Sequence, residues 1–191
     1  TRWATHGAPS ERNAHPHFSA GVTKIAVVHN GIIENHEVLR QRLQTAGFEF
    51  LSDTDTEVIA HLITLNLQQT PDLFEAVRRS VAELQGAYAI AVMEEARPER
   101  IVVARNGAPL LLGLGERGNY AASDASALLQ VTKRMIYLEE GDVAELRCDS
   151  YRIVNCLAGG SGKEVMRAVH ESELTDAAVE LGPYAHFMQK E

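Results

Sequence analysis

The chain has 191 residues, enough for one substantial core without requiring a second domain. Lys and Arg total 18 against 26 Asp and Glu, a formal charge of −8 with no basic cluster, which argues against a nucleic-acid surface. No apolar run is long enough to cross a bilayer, and no secretory pattern opens the sequence. The two cysteines, Cys148 and Cys156, lack CxxC spacing and read as structural thiols in a reducing compartment rather than as a zinc site or disulfide framework.

The opening stretch, TRWATHGAPSERNAHPH, suits neither a helix nor a core strand. It packs Arg2, Trp3, Thr5 and His6 together and then adds Asn13, His15 and His17. The planar fork of Arg2 suits a carboxylate. Taken singly, each residue also has a plainer use: a surface ion pair, a core anchor, a loop histidine. His6, His15 and His17 do not follow the i, i+4 spacing of a helical metal site, and Pro16 separates two of them, so no metal is expected. Next comes KIAVVHNGIIENH, in which the apolar run Ile25 to Val28 reads as a buried strand interrupted at His29-Asn30-Gly31. Asn-Gly between apolar runs is a hairpin signal, because both residues tolerate positive φ. A carboxamide beside a glycine can also stabilise a developing oxyanion. On this stretch alone the turn is the simpler reading.

NHEVLRQRLQTAGF places Val38, Leu39, Leu43 and Ala46 at helical spacing, with Gly47 at the stop. FEFLSDTDTEVIAHLITLNLQQ reads as a short strand, a loop at Ser52-Asp53-Thr54 and a second helix. Thr54 and Glu57 match a capping box, with Ser52 or Asp53 as alternative caps. A third helix is predicted over Leu73 to Leu84, ending at Gly86. From there AYAIAVMEE, RIVVARN, PLLLGLGE, NYAASD, RMIYLEE and DVAELRC are β-type runs between turn residues. A brief helix is predicted in DASALLQVT, and DSYRIVN reads as a turn and then a strand. The glycine-rich run Leu157 to Lys163 is a loop without the lysine-serine signature of a phosphate cradle. Helices early and strands late give an α+β layered domain.

Taken together and in order, TRWATHG, NAHPH, VVHNGIIENH, SDTDTEVIAHL, LQGAYAIAV, ASD, LEEGDVAEL and HFMQKE resemble the glutaminase domains of glucosamine-6-phosphate synthases, which are class II (N-terminal-nucleophile) amidotransferases. The resemblance covers nearly the whole chain and weakens from Cys148 to about Pro183. It implies a four-layer αββα sandwich and hydrolysis of glutamine through a cysteinyl thioester, with no cofactor and no metal. By position, Arg2 would grip the glutamine α-carboxylate, and Thr5 and His6 would belong to the same pocket. Trp3 would sit on a loop closing over the substrate, and Asp55 would pair with the α-ammonium. The Asn30 side chain and the Gly31 N–H would form the oxyanion hole. That assignment reverses the local reading: Asn30-Gly31 ends a buried strand and serves the chemistry.

The same resemblance implies a single domain over 1–191, with 183–191 opening a linker to a sugar isomerase half. It further implies a homodimer of the full-length enzyme in the cytoplasm. One feature departs from the family: its nucleophile is a cysteine at the mature N-terminus, and neither Cys148 nor Cys156 matches that position. The chain alone is therefore expected to be inactive, to lack the first strands of the sandwich, and to show an open sheet edge and exposed apolar surface. Thr1 as an N-terminal nucleophile is the weaker alternative. Two rival readings are another class II amidotransferase (of the amidophosphoribosyltransferase or asparagine synthetase type) and a non-catalytic glutamine-binding domain.

Overall fold

A computed structural model describes residues 7–19, 23–157 and 162–172. A 3₁₀ turn at Glu11–Asn13 leads into β1 (His17–Phe18) and the long strand β2 (Ile25–Ile33). Three helices follow: α1 (His36–Thr45), α2 (Asp55–Leu67) and α3 (Leu73–Val81). The rest is largely β: β3 (Gly86–Glu94), β4 (Arg100–Asn106), β5 (Leu111–Leu114), β6 (Asn119–Ala122), β7 (Arg134–Tyr137), β8 (Asp142–Arg147) and β9 (Tyr151–Asn155). Two short pieces, β10 (Lys163–Glu164) and β11 (His170–Glu171), complete it, and a 3₁₀ turn at Ala125–Leu128 precedes β7.

The strands form two antiparallel sheets, of order β1-β2-β3-β4-β8-β9-β10 and β11-β7-β5-β6. Period-two alternation decides what each face of the larger sheet meets. Ile25, Val27, Ile33, Ile90, Val92, Val102 and Val143 point to the three helices. Ala89, Val103, Ala144, Leu146 and Ile153 point the other way, onto Leu112, Leu114, Ile136 and Leu138 of the smaller sheet. On the far side of that sheet, Leu128 at the end of the 3₁₀ turn and Leu129 just after it cover Leu111 and Met135. The layers therefore run helices, sheet, sheet, short helical cover, which is the order the resemblance implies.

α2 lies deepest, with eleven of its thirteen residues buried. Full burial of side chains such as Leu62 and Ile63 contributes about 1.5–3 kcal/mol each. Its N-terminus is capped as expected: Thr54 Oγ1 accepts from the Glu57 N–H at 3.3 Å. The second arm of the box reaches further back than a capping box does, because the Glu57 carboxylate accepts from the Leu51 and Ser52 N–H groups. Asp72 caps α3 through the Glu75 N–H, and Gly47, at φ +91°, follows the C-cap of α1.

Five expectations need correction. β2 does not end at Asn30-Gly31; it pairs with β3 in unbroken register from Ile25↔Glu94 to Ile33↔Gly86. Gly31 is there for close approach rather than for a turn. Its φ is +127°, and a Cβ built on it would lie 2.0 Å from the Ala87 carbonyl oxygen. Within the apolar run only Ile25 and Val27 are buried, since Val28 lies on the opposite face and is exposed. No strand forms at Phe48-Glu49-Phe50; the two aromatic rings pack instead against His61, with centroids 5.1 and 4.6 Å away. Val38 faces solvent while Leu39 and Leu43 hold α1 to the core, and α3 stops at Val81, three residues early. The predicted glycine-rich loop lies in part outside the described residues.

Candidate active site

Among the described residues, the larger sheet leaves one end of β2 open on the β1 side. Ser19 N–H donates to the Ile25 carbonyl at 3.0 Å, so the main-chain groups of Ile25 face β1. Alternation carries that direction to Val27, His29, Gly31 and Ile33. β1 reaches only to His17, opposite Val27, so β1 does not pair the rest of this edge. The Ile33 N–H on it donates to Asp55 Oδ2 at 2.9 Å. The Gly31 N–H lies two residues back on the same edge, and both Asn30 and Gly31 are exposed. A backbone donor, a carboxamide and a carboxylate thus lie within one strand end and one helix start.

Asp55 is the first residue of α2 and is only 1% exposed. The helix N-terminus favours its negative charge. The turn before it is tightly bound. Ser52 Oγ donates to Glu57 Oε2 at 2.6 Å and lies 3.0 Å from Thr54 Oγ1. Burial by itself would raise the Glu57 carboxyl. The donors from His61, the Leu51 N–H, and the Ser52 hydroxyl and N–H outweigh it and hold the carboxyl down at about 2. Glu57 therefore stays ionised and clamps Leu51 and Ser52 against α2.

The segment 7–19 is tied to the same turn. Asn13, fully buried, donates through Nδ2 to the Ala8 carbonyl at 2.9 Å and accepts from the Asp53 N–H at 3.1 Å. Arg12 pairs with Asp53, and hydrogen bonding from that guanidinium lowers the exposed Asp53 carboxyl. His17 Nε2 lies 3.3 Å from Thr54 Oγ1, and His15 Nε2 lies 3.4 Å from Thr56 Oγ1. Asn13, His15 and His17 thus organise the Asp53–Thr56 turn.

Of the residues singled out by sequence, Asn30, Gly31 and Asp55 come together at the β2–α2 junction. Arg2, Trp3, Thr5 and His6 lie outside the described residues. His29, Thr56, Ser52 and Glu57 frame the junction; in the sequence Ser52 and Glu57 read only as capping residues, His29 stands at the break in the strand, and Thr56 has no assigned role. Cys148 and Cys156 are both free thiols.

The glutamine amidotransferase domain model matches residues 2–130. The chain is 56% identical over its full length to the glutamine–fructose-6-phosphate aminotransferase (isomerizing) of Xanthomonas campestris, and 54% identical to that of Pseudomonas syringae pv. tomato. It spans 30% of the length of each of these curated relatives. Among solved structures it is similar to the glutamine phosphoribosylpyrophosphate amidotransferase from B. subtilis. There the TM-score is 0.61 at 26% identity, covering 86% of this chain and 34% of that one. A second similar structure, of the allosteric regulatory enzyme of purine biosynthesis, gives 0.64 at 27% identity, covering 78% and 32%. With the family model spanning more than half its length, this chain belongs to the glutamine amidotransferase domain family and has the layered α+β fold of the N-terminal-nucleophile type.

Proposed function

We propose that this chain is the glutamine-hydrolysing domain of a longer protein that uses the released ammonia to convert fructose 6-phosphate into glucosamine 6-phosphate, a step of hexosamine biosynthesis. The observation that carries the reading is the buried Asp55 carboxylate, held by the Ile33 N–H on the strand that also bears Asn30 and Gly31. A free amino acid needs an anion for its ammonium, a cation for its carboxylate, and donors where charge develops on its side-chain amide. On this reading Asp55 supplies the first and Arg2 the second. Thr5, His6 and the loop bearing Trp3 complete the pocket. Asn30 Nδ2 and the Gly31 N–H supply the donors.

The nucleophile on this reading is a cysteine at the mature N-terminus of the longer protein, with its own α-amine taking the thiol proton. Its attack on the amide carbon places negative charge on the oxygen, where Asn30 and Gly31 meet it. Loss of one such donor typically costs about a hundredfold or more in rate. Collapse of that intermediate passes the proton to the leaving nitrogen, releases ammonia and leaves a thioester, which water hydrolyses to glutamate. Identity of 54–56% to the sugar enzymes, against 26–27% to the two solved structures, supports a sugar-phosphate acceptor over a phosphoribosyl one. The resemblance also carries the isomerase half, the homodimer and the cytoplasmic location.

Glutamate release and aminosugar phosphate formation by the full-length protein test the proposal. Asp55→Asn is expected to raise KM for glutamine by roughly 10–100-fold, as loss of a charged partner does. Glutamine binding without glutamate release would mark a non-catalytic domain. Ammonia delivered only to a phosphoribosyl acceptor would overturn the choice of sugar.

A further inference from the structure

Two buried polar side chains connect the halves of this site and have no part in the chemistry above. His29 precedes Asn30 on β2, with its ring on the helix face; Thr56 follows Asp55 on α2. His29 Nδ1 and Thr56 Oγ1 lie 3.1 Å apart, and Thr56 is 1% exposed. The same nitrogen is 3.9 Å from Asp55 Oδ2. His29 Nδ1 and the Thr56 hydroxyl thus share a buried hydrogen bond whose donor is set by the imidazole tautomer. The same Thr56 hydroxyl lies 3.4 Å from His15 Nε2.

A second link, from the Ile33 N–H to Asp55 at 2.9 Å, joins the same two elements. His29 and Ile33 flank Asn30-Gly31 on either side, and their partners are adjacent residues in the first turn of α2. The oxyanion donors are thus bracketed by two ties to the segment that bears the ammonium anchor. An amino acid held at Asp55 by its ammonium and at Asn30-Gly31 by its amide spans this spacing. A misplacement of about 1 Å in such a geometry can cost roughly a hundredfold in rate. Stability alone does not call for the pair, because replacing both partners of a buried hydrogen bond by apolar groups of similar shape is often nearly neutral.

We infer that His29 and Thr56 are positioning residues that fix the distance between the oxyanion donors on β2 and the ammonium anchor on α2. The inference rests on the glutamine-hydrolysis reading. Its test is steady-state glutaminase kinetics on the full-length protein, with melting temperatures alongside. Thr56→Val removes the hydroxyl at nearly constant volume, and Thr56→Ser keeps it. His29→Leu removes the Nδ1 partner, and His29→Asn returns a hydrogen-bonding group near that position. Thr56→Val and His29→Leu are expected to lower kcat by about tenfold or more, a loss larger than any rise in KM. Thr56→Ser and His29→Asn stay within about threefold of the parent. The inference falls if Thr56→Val matches the parent, if Thr56→Ser loses as much as Thr56→Val, or if the losses follow melting temperature alone. A parent protein that does not hydrolyse glutamine overturns the functional reading and this inference with it.

Discussion

At Gly31 the backbone takes φ +127° within a strand, and a side chain there would meet the Ala87 carbonyl at 2.0 Å. Gly31→Ala must therefore strain the backbone and push β2 away from β3. We expect a loss of about 2 kcal/mol or more in stability together with loss of glutamine hydrolysis. A Gly31→Ala protein that melts with the parent and turns over normally would refute the close-approach argument. Glu57 gives a pH prediction. Its carboxyl sits at about 2 in the folded chain against an ordinary 4.5, so the folded state binds its proton less readily than the unfolded state does. Its stabilisation is complete above about pH 4.5 and is lost as pH falls toward 2. Denaturant melts from pH 7 to 2.5 should show Glu57→Gln less stable at neutral pH and flatter below pH 4.5; parallel curves for the two proteins would sink the assignment.

Between elements, the most informative contact is a buried charge cluster beneath the start of α3. Arg100, 2% exposed, reaches Glu94 on β3, Glu145 on β8 and the capping Asp72, each at 3.2 Å. Arg152 pairs with Glu145 and stacks on Phe74. Removing Arg100 would leave two carboxylates buried without their central cation, so Arg100→Met should cost about 3–5 kcal/mol in urea unfolding. Adding Glu94→Leu and Glu145→Leu should recover much of that loss; no recovery would show that shape rather than charge governs the site. None of this was legible in the chain, where Glu94, Arg100 and Glu145 stand near turn residues and look like surface charges. What was legible follows from periodicity. RIVVARN is a strand as predicted, and the β-type runs after Gly86 all pair, with β3, β4 and β8 packing apolar residues onto both faces of the larger sheet. Where burial is not periodic the reading failed, as at Phe48–Phe50, whose rings fill a gap beside His61. The site shows the same division. Asp55 and Asn30-Gly31 stand in distinctive wording, whereas His29 and Thr56 acquire a role only once β2 and α2 are laid side by side.

Across the whole molecule, the two sheets do not cover each other evenly. The smaller sheet packs on β3, β4, β8 and β9 and leaves the same face of β1 and β2 without a partner among the described residues. On that bare face Phe18 is 59% exposed, Val28 42%, Ile32 42% and Met93 39%. They are neighbours by register, since Phe18 and Met93 both pair with Ala26, and Val28 follows on the next rung opposite Ala91. β6, at the edge of the smaller sheet, pairs only with β5 among the described residues. An exposed apolar stripe and an open strand edge each favour association with another surface. The 191-residue chain on its own is therefore expected to bind an apolar dye and to sediment as more than a monomer at micromolar concentration. Phe18→Lys with Met93→Lys should reduce both signals without lowering helix content, because neither side chain belongs to the cores on either side of the sheet. In the longer protein proposed above the dye signal should be absent, since the rest of the molecule can cover the stripe. A monomeric chain that binds no dye would mean that this face is solvated in the isolated domain, and the association argument would then fail.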